Sequence, residues 1–144
     1  MPTVSSVMTS NPASCRVDTP VRDIARLMID NDCGQIPVLD DRGMPLGVIT
    51  DRDIAVRVVA RGADGTCTAI DAMTTPIKTV QVDSDLQECL KLMEQAQVRR
   101  VPVVDASGKL AGIVALADIA LAGRDKATAD VVKEVSQPPA STAK

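Results

Sequence analysis

At 144 residues and 15.1 kDa, the chain is long enough for one compact domain or for two small units that share a core. Its 16 Lys and Arg against 19 Asp and Glu leave a net charge of −3, and a pI near 4.9 argues against the basic footprint of a nucleic-acid binder. With no Phe, Tyr or Trp there is no stacking platform for bases and no aromatic cage for cations, so the 45% of hydrophobic residues must build an aliphatic core.

In chain order, a helix-like segment at 4–8 leads through a Pro-containing turn into a brief strand near 15–17. Thr19-Pro20 then starts a helix, with Thr as cap and Pro in the first turn, and Val21, Ile24, Leu27 and Met28 recur at helical spacing. Strands at 36–39 and 46–49 flank an Asp/Gly turn in the pattern of a hairpin. A last helix begins at Asp51 and stops before Gly62. After a connector over 62–68 the order recurs: a helix-like segment at 69–73, a strand at 79–82 and a helix started by Ser84. That helix carries Leu86, Cys89, Leu90 and Met93; strands at 101–104 and 110–114 follow, then a helix from Leu116 to before Gly123. The tail from Arg124 adds a short helix over 129–135, and after Ser136 its composition is that of a frayed end.

The recurrence is a duplication. Shifting the chain by 65 residues matches 8–55 to 73–120 without a gap and with 14 identities over 48 positions. Among them are Met8-Thr9 on Met73-Thr74, Pro37-Val38 on Pro102-Val103, and Asp53-Ile54-Ala55 on Asp118-Ile119-Ala120. Two copies make a paired module rather than a solenoid. The expected fold class is α+β, two β-α-β-β-α units packed with pseudo-twofold symmetry into one module. Repeat 1 is expected over 1–61, the connector over 62–68, repeat 2 over 69–123 and the tail over 124–144.

The repeat also explains most of the cysteines. Cys15 aligns with Val80, Cys33 with Val98 and Cys89 with Ile24, so these three read as small buried hydrophobes. Cys67 lies in the connector and reads as an exposed thiol, a redox sensor in the weakest of the functional readings. With no His and no CxxC, no metal site is expected. The first residues carry no charged segment followed by an apolar run, and the most apolar stretch, 110–122, is short for a span and interrupted by Asp118. A cytoplasmic protein, not membrane-bound, is expected.

Each copy carries an h-P-V-h-D strand and a G-h-h-(T/S)-x-x-D strand-to-helix turn. In copy one these are Ile36-Pro37-Val38-Leu39-Asp40 and Gly47-Val48-Ile49-Thr50-Asp51-Arg52-Asp53. In copy two they are Val101-Pro102-Val103-Val104-Asp105 and Gly112-Ile113-Val114-Ala115-Leu116-Ala117-Asp118. A tandem with these marks resembles a CBS-domain pair, named after cystathionine β-synthase, of the stand-alone bacterial type. The resemblance covers residues 1–124. It implies a regulatory sensor that binds an adenosine nucleotide such as AMP or ATP in clefts between the repeats, acts as a homodimer on an unknown regulated protein, and needs no cofactor.

By the same resemblance, Asp53 holds a ribose and Thr50 assists, with Asp118 as the equivalent carboxylate. A strand that ends where a helix begins suits a phosphate, and a carboxylate there accepts both ribose hydroxyls. The alternative for Thr50-x-x-Asp53 is a capping box needing no ligand, worth about 1 kcal/mol. Copy two keeps Asp118 but has Ala115 at the cap, which favours a ligand role for the carboxylate and makes the Asp53 cleft the expected better one. Arg99 and Arg100 precede the second h-P-V strand and read as phosphate contacts, or else as a solvated strand end paired with a carboxylate such as Glu94. Arg52 could face the phosphates or a dimer partner. Backbone groups of Ile36, Pro37 and Val38 are expected at the base edge, and Thr79 is a further contact carried over by position. No His, Walker motif or nucleophile elbow is present, so an enzyme is not expected. The competing reading is a ligand-free dimerisation or scaffold module.

Overall fold

The computed structural model describes residues 2–122; the helix expected over 129–135 lies outside them. In chain order the elements are β1 (Thr9–Ser10), β2 (Cys15–Arg16), α1 (Val21–Asn31), β3 (Gln35–Leu39), β4 (Pro45–Thr50), α2 (Asp51–Asp53), α3 (Ala69–Ala72), β5 (Val80–Gln81), α4 (Leu86–Ala96), β6 (Arg100–Val104) and β7 (Leu110–Ala115). A 3₁₀ turn at Val4–Ser6 precedes them, and residues 116–122 are helical.

The two long helices bury the predicted faces: Val21 and Ile24 on α1, and Leu86, Cys89 and Met93 on α4. Both end on a left-handed residue, Asp32 at φ 48° and Gln97 at φ 55°. Their starts lie one residue later than expected. Pro20, not Thr19, caps α1, while the Thr19 hydroxyl accepts from the Arg16 N–H at 2.9 Å. Asp85, not Ser84, caps α4 by accepting from the Gln87 N–H at 2.8 Å, and Ser84 Oγ accepts from the Gln81 N–H at 3.1 Å. In both copies the hydroxyl closes the strand-to-helix turn rather than the helix itself. α2 continues as a wider turn over Ile54–Val59, where the Ala60 N–H reaches back five residues to the Ala55 carbonyl at 2.9 Å. The β-branched run Ile54, Val56, Val58 and Val59 crowds a regular α-helix there.

The first sheet has the expected three strands, ordered β2-β3-β4, with β2 parallel and β4 antiparallel to β3. The second has four, ordered β1-β7-β6-β5, because β1 of copy one crosses to pair with β7 of copy two. The crossing is reciprocal. Thr9 pairs with Ile113, and 65 residues on Thr74 bridges Val48, with N–H···O distances of 3.1 and 2.8 Å. Likewise Val4 N–H donates to Ser84 O, and Ala69 N–H donates to Thr19 O, each at 2.9 Å. Pseudo-twofold symmetry is therefore written into the hydrogen bonds.

The cores follow the exchange. Val4 joins Val80, Leu86, Cys89, Met93, Val101, Val103, Val114 and Ile119 in the core of copy two. Ala69 and Ala72 join Cys15, Val21, Ile24, Ile36, Val38, Ile49 and Val58 in that of copy one. Close backbone approach at the exchange requires glycine: a Cβ on Gly47 would lie 2.7 Å from Thr74 O, and one on Gly112 would lie 2.7 Å from Thr9 O. Cys15 and Cys89 are buried as expected while Cys33 is half-buried against the first core, and burial pushes the Cys15 thiol up to about 11 and raises that of Cys89. Cys67 is half-buried and packs on the first core, so the expected exposed thiol is corrected.

Candidate functional site

The two strand-to-helix turns have the same length and place, but different chemistry. In copy one, Thr50 Oγ1 accepts from the Asp53 N–H and Asp53 Oδ2 accepts from the Thr50 N–H, each at 3.0 Å, which is a complete capping box. The Thr74 hydroxyl, from the other copy, donates to the same carboxylate at 3.1 Å from each oxygen. Arg57 Nε stands 3.8 Å from Oδ1, and its Nη1 donates to Met73 O at 2.7 Å. Asp53 is thus a tie between turn, helix and neighbouring repeat, with its side chain 12% exposed.

In copy two Ala115 removes the cap and Ala122 stands where copy one has Arg57. The Asp118 carboxylate, half-buried, makes no hydrogen bond or ion pair with another described residue. It lines a cavity of about 510 Å³ built from both repeats. Copy one supplies the loop from Thr9 to Ala13, the end of α1 at Asn31, Asp32 and Cys33, and Gln35 at the start of β3; copy two supplies Arg100, Ile113, Ala115 and Asp118. The loop is held there by the β1–β7 pairing and by Asn11, at φ 50°, whose N–H donates to Ala111 O at 3.3 Å.

The structure therefore brings together two of the expected site residues, Asp118 and Arg100, and distributes the others. Thr50 and Asp53 form the box described above, so the open cavity lies on the Asp118 side rather than at the turn expected to be the better one. Arg99 is exposed and uses its carbonyl to accept from the Leu116 N–H at 2.7 Å. Ile36, Pro37 and Val38 are buried in the central strand of the first sheet, where Ile36 and Val38 point into the core. Thr79 lines a different depression of about 390 Å³, with Glu88, Lys91 and Gln95 of α4.

Gln35 escaped the sequence reading. Among the described residues it is the one buried polar side chain, 8% exposed, and its Oε1 has no partner. The available signal was the repeat itself, which sets Gln35 opposite Arg100 at equivalent strand starts. Three other carboxylates, Asp40, Asp64 and Asp105, are structural turn residues. Backbone N–H groups of Met44 and Arg42 hold Asp40 below the usual carboxylate range, and the Ser107 hydroxyl and the Lys109 N–H do the same for Asp105. Thr66 likewise lowers Asp64, first through its hydroxyl and then through its N–H. Among the described residues no group of three or more His, Cys, Asp or Glu is placed to hold a metal ion.

Two exchanged α+β repeats with a cleft between them define a paired-repeat module. The CBS domain family profile matches residues 4–60 and 69–125, and the chain belongs to that family. It is 37% identical over 121 residues to the CBS domain-containing protein YhcV of Bacillus subtilis, covering 84% of this chain and 85% of that protein. A crystal structure of Hypoxic Response Protein I with two coordinated zinc ions is similar at a TM-score of 0.76 and 34% identity, covering 83% of this chain and 97% of the other. A crystal structure of CBSX2 in complex with AMP is similar at a TM-score of 0.73 and 27% identity, over 85% and 96% of the two chains. No helix among the described residues is long and apolar enough to cross a membrane.

Proposed function

We propose that this chain is a regulatory module, not an enzyme, that binds an adenosine nucleotide of the AMP class in the cleft between its repeats, chiefly on the Asp118 side. The observation that carries this reading is the cavity of about 510 Å³, drawn from both repeats and lined by Asp32, Asp118 and Arg100, whose side chains have no partner among the described residues. Its size is that of a small-molecule site. Asp118 accepts the ribose hydroxyls, and the Arg100 fork takes the phosphate. The likeness to an AMP-bound CBS pair supports the ligand class. Because the wall comes from both repeats, a bound ligand favours one arrangement of them over others, which is what a sensor requires.

The nucleotide is a regulatory ligand rather than a cofactor. Exposed Ile29, Val59, Ile70 and Leu121 supply apolar surface for a homodimer, and four cysteines outside any disulfide suit the reducing cytoplasm. One observation favours the scaffold reading: the box at Thr50 and Asp53 accounts for that motif with no ligand.

Calorimetric titration with AMP tests the proposal. Asp118→Asn should weaken binding about a hundredfold, since hydrogen bonds to a charged group are worth about 1.5–3 kcal/mol each. Asp53→Asn should stay within about threefold of the parent, because its carboxylate is spent on protein partners. A flat titration of the parent chain would favour the scaffold.

A further inference from the structure

We propose that the Gln35 side-chain amide reads the amino edge of the purine in this cleft. The inference rests on the functional reading above and goes further, assigning the base contact to a residue outside the repeated motif. Gln35 lines the cavity, is 8% exposed, and carries an Oε1 sealed from water without a hydrogen bond. Neither end of its amide bonds to another described side chain or backbone group. A buried amide left unpaired costs stability, and the residue that stands at its place in copy two, Arg100, is exposed instead. The position therefore does not demand a buried polar group for folding.

A group with a donor beside an acceptor satisfies both ends of a primary amide after rotation about its terminal torsion. The 6-amino group of adenine beside a ring nitrogen is such a pair, and Gln bonds this edge through two parallel hydrogen bonds. The rest of the cleft offers the base apolar contact through Pro12, Ala13 and Ile113.

The test compares AMP with purine riboside 5′-monophosphate, which lacks the 6-amino group, in the parent chain and in Gln35→Met. The parent should prefer AMP by about tenfold, one hydrogen bond's worth, and Gln35→Met should bind the two equally. Without ligand, Gln35→Met should melt at the same temperature as the parent or higher, because an unpaired buried amide has been removed. Gln35→Leu repeats the measurement in a second apolar background. An AMP preference that survives both substitutions, or a parent that binds both nucleotides equally, overturns the assignment while leaving the functional reading in place. A parent that binds neither nucleotide overturns both. A lower melting temperature in both variants with the preference intact shows a structural role instead.

Discussion

The turn ending in Asp53 and the turn ending in Asp118 occupy equivalent places in a duplicated fold, yet one carboxylate is bound up and the other is not. Asp53 accepts from Thr50, Thr74 and, at longer range, Arg57; Asp118 faces Ala115 and an open cavity. The difference is made by the residues around each carboxylate, since both are aspartates at the third position of their helices. A repeated motif therefore specifies a local geometry, and its neighbours decide whether its carboxylate ties the chain together or stands open to a cavity.

The largest effect expected from breaking this comparison is the affinity contrast between Asp118→Asn and Asp53→Asn given above. Next comes the exchange that builds both turns. Gly112→Ala places a Cβ against Thr9 O, and Gly47→Ala places one against Thr74 O; each should cost about 1–3 kcal/mol in denaturant unfolding, as overpacking against backbone does. Gly112→Ala should also weaken AMP binding, because the β1–β7 pairing carries the cleft loop, whereas Gly47→Ala should not. Equal effects of the two on binding would mean that the two sides of the module are not independent.

Smaller changes convert one turn toward the other. Thr50→Ala removes the cap of copy one and should lose about 1 kcal/mol, while Ala115→Thr supplies a cap to copy two and should gain up to about 1 kcal/mol, both measured by urea unfolding. The smallest effects lie at the hairpin turns, where the copies agree. Asp40 and Asp105 have lowered pKa values, so their stabilisation is present above the ordinary carboxylate range and is lost as pH falls through their folded values. Asp40→Asn and Asp105→Asn should each be more destabilising at pH near 6 than near 3, about the limits set by ordinary carboxylates.

The local order of elements was legible because it rests on short-range periodicity and on turn chemistry. The faces of α1 and α4 and the hairpins around Asp40 and Asp105 follow from residues a few positions apart, and the burial of Cys15 and Cys89 from their aliphatic counterparts at the repeat offset. Helix caps were misplaced by one residue because Thr19 and Ser84 serve equally well as turn-closers and as caps, and only the backbone decides. The capping box at Thr50 and Asp53 was legible as one of two alternatives. Gln35 was not: the repeat sets it opposite Arg100, but that alignment does not say which of the two side chains is buried.

What the sequence by itself determined is the duplication, the fold class and the identity of a carboxylate at each strand-to-helix turn. Periodicity and a constant offset of 65 residues are intrinsic to the chain. Tertiary structure alone decided that β1 pairs with the other copy's sheet, that Val4 and Ala69 are buried across the pseudo-twofold, and that the cavity opens beside Asp118. Each of these depends on contacts between residues far apart in the chain, and an internal repeat leaves such pairing ambiguous: a strand matches its own copy's sheet and its sister's with the same pattern of donors and acceptors. Packing of the whole module resolves that choice, and with it which of two equal aspartates faces the cleft.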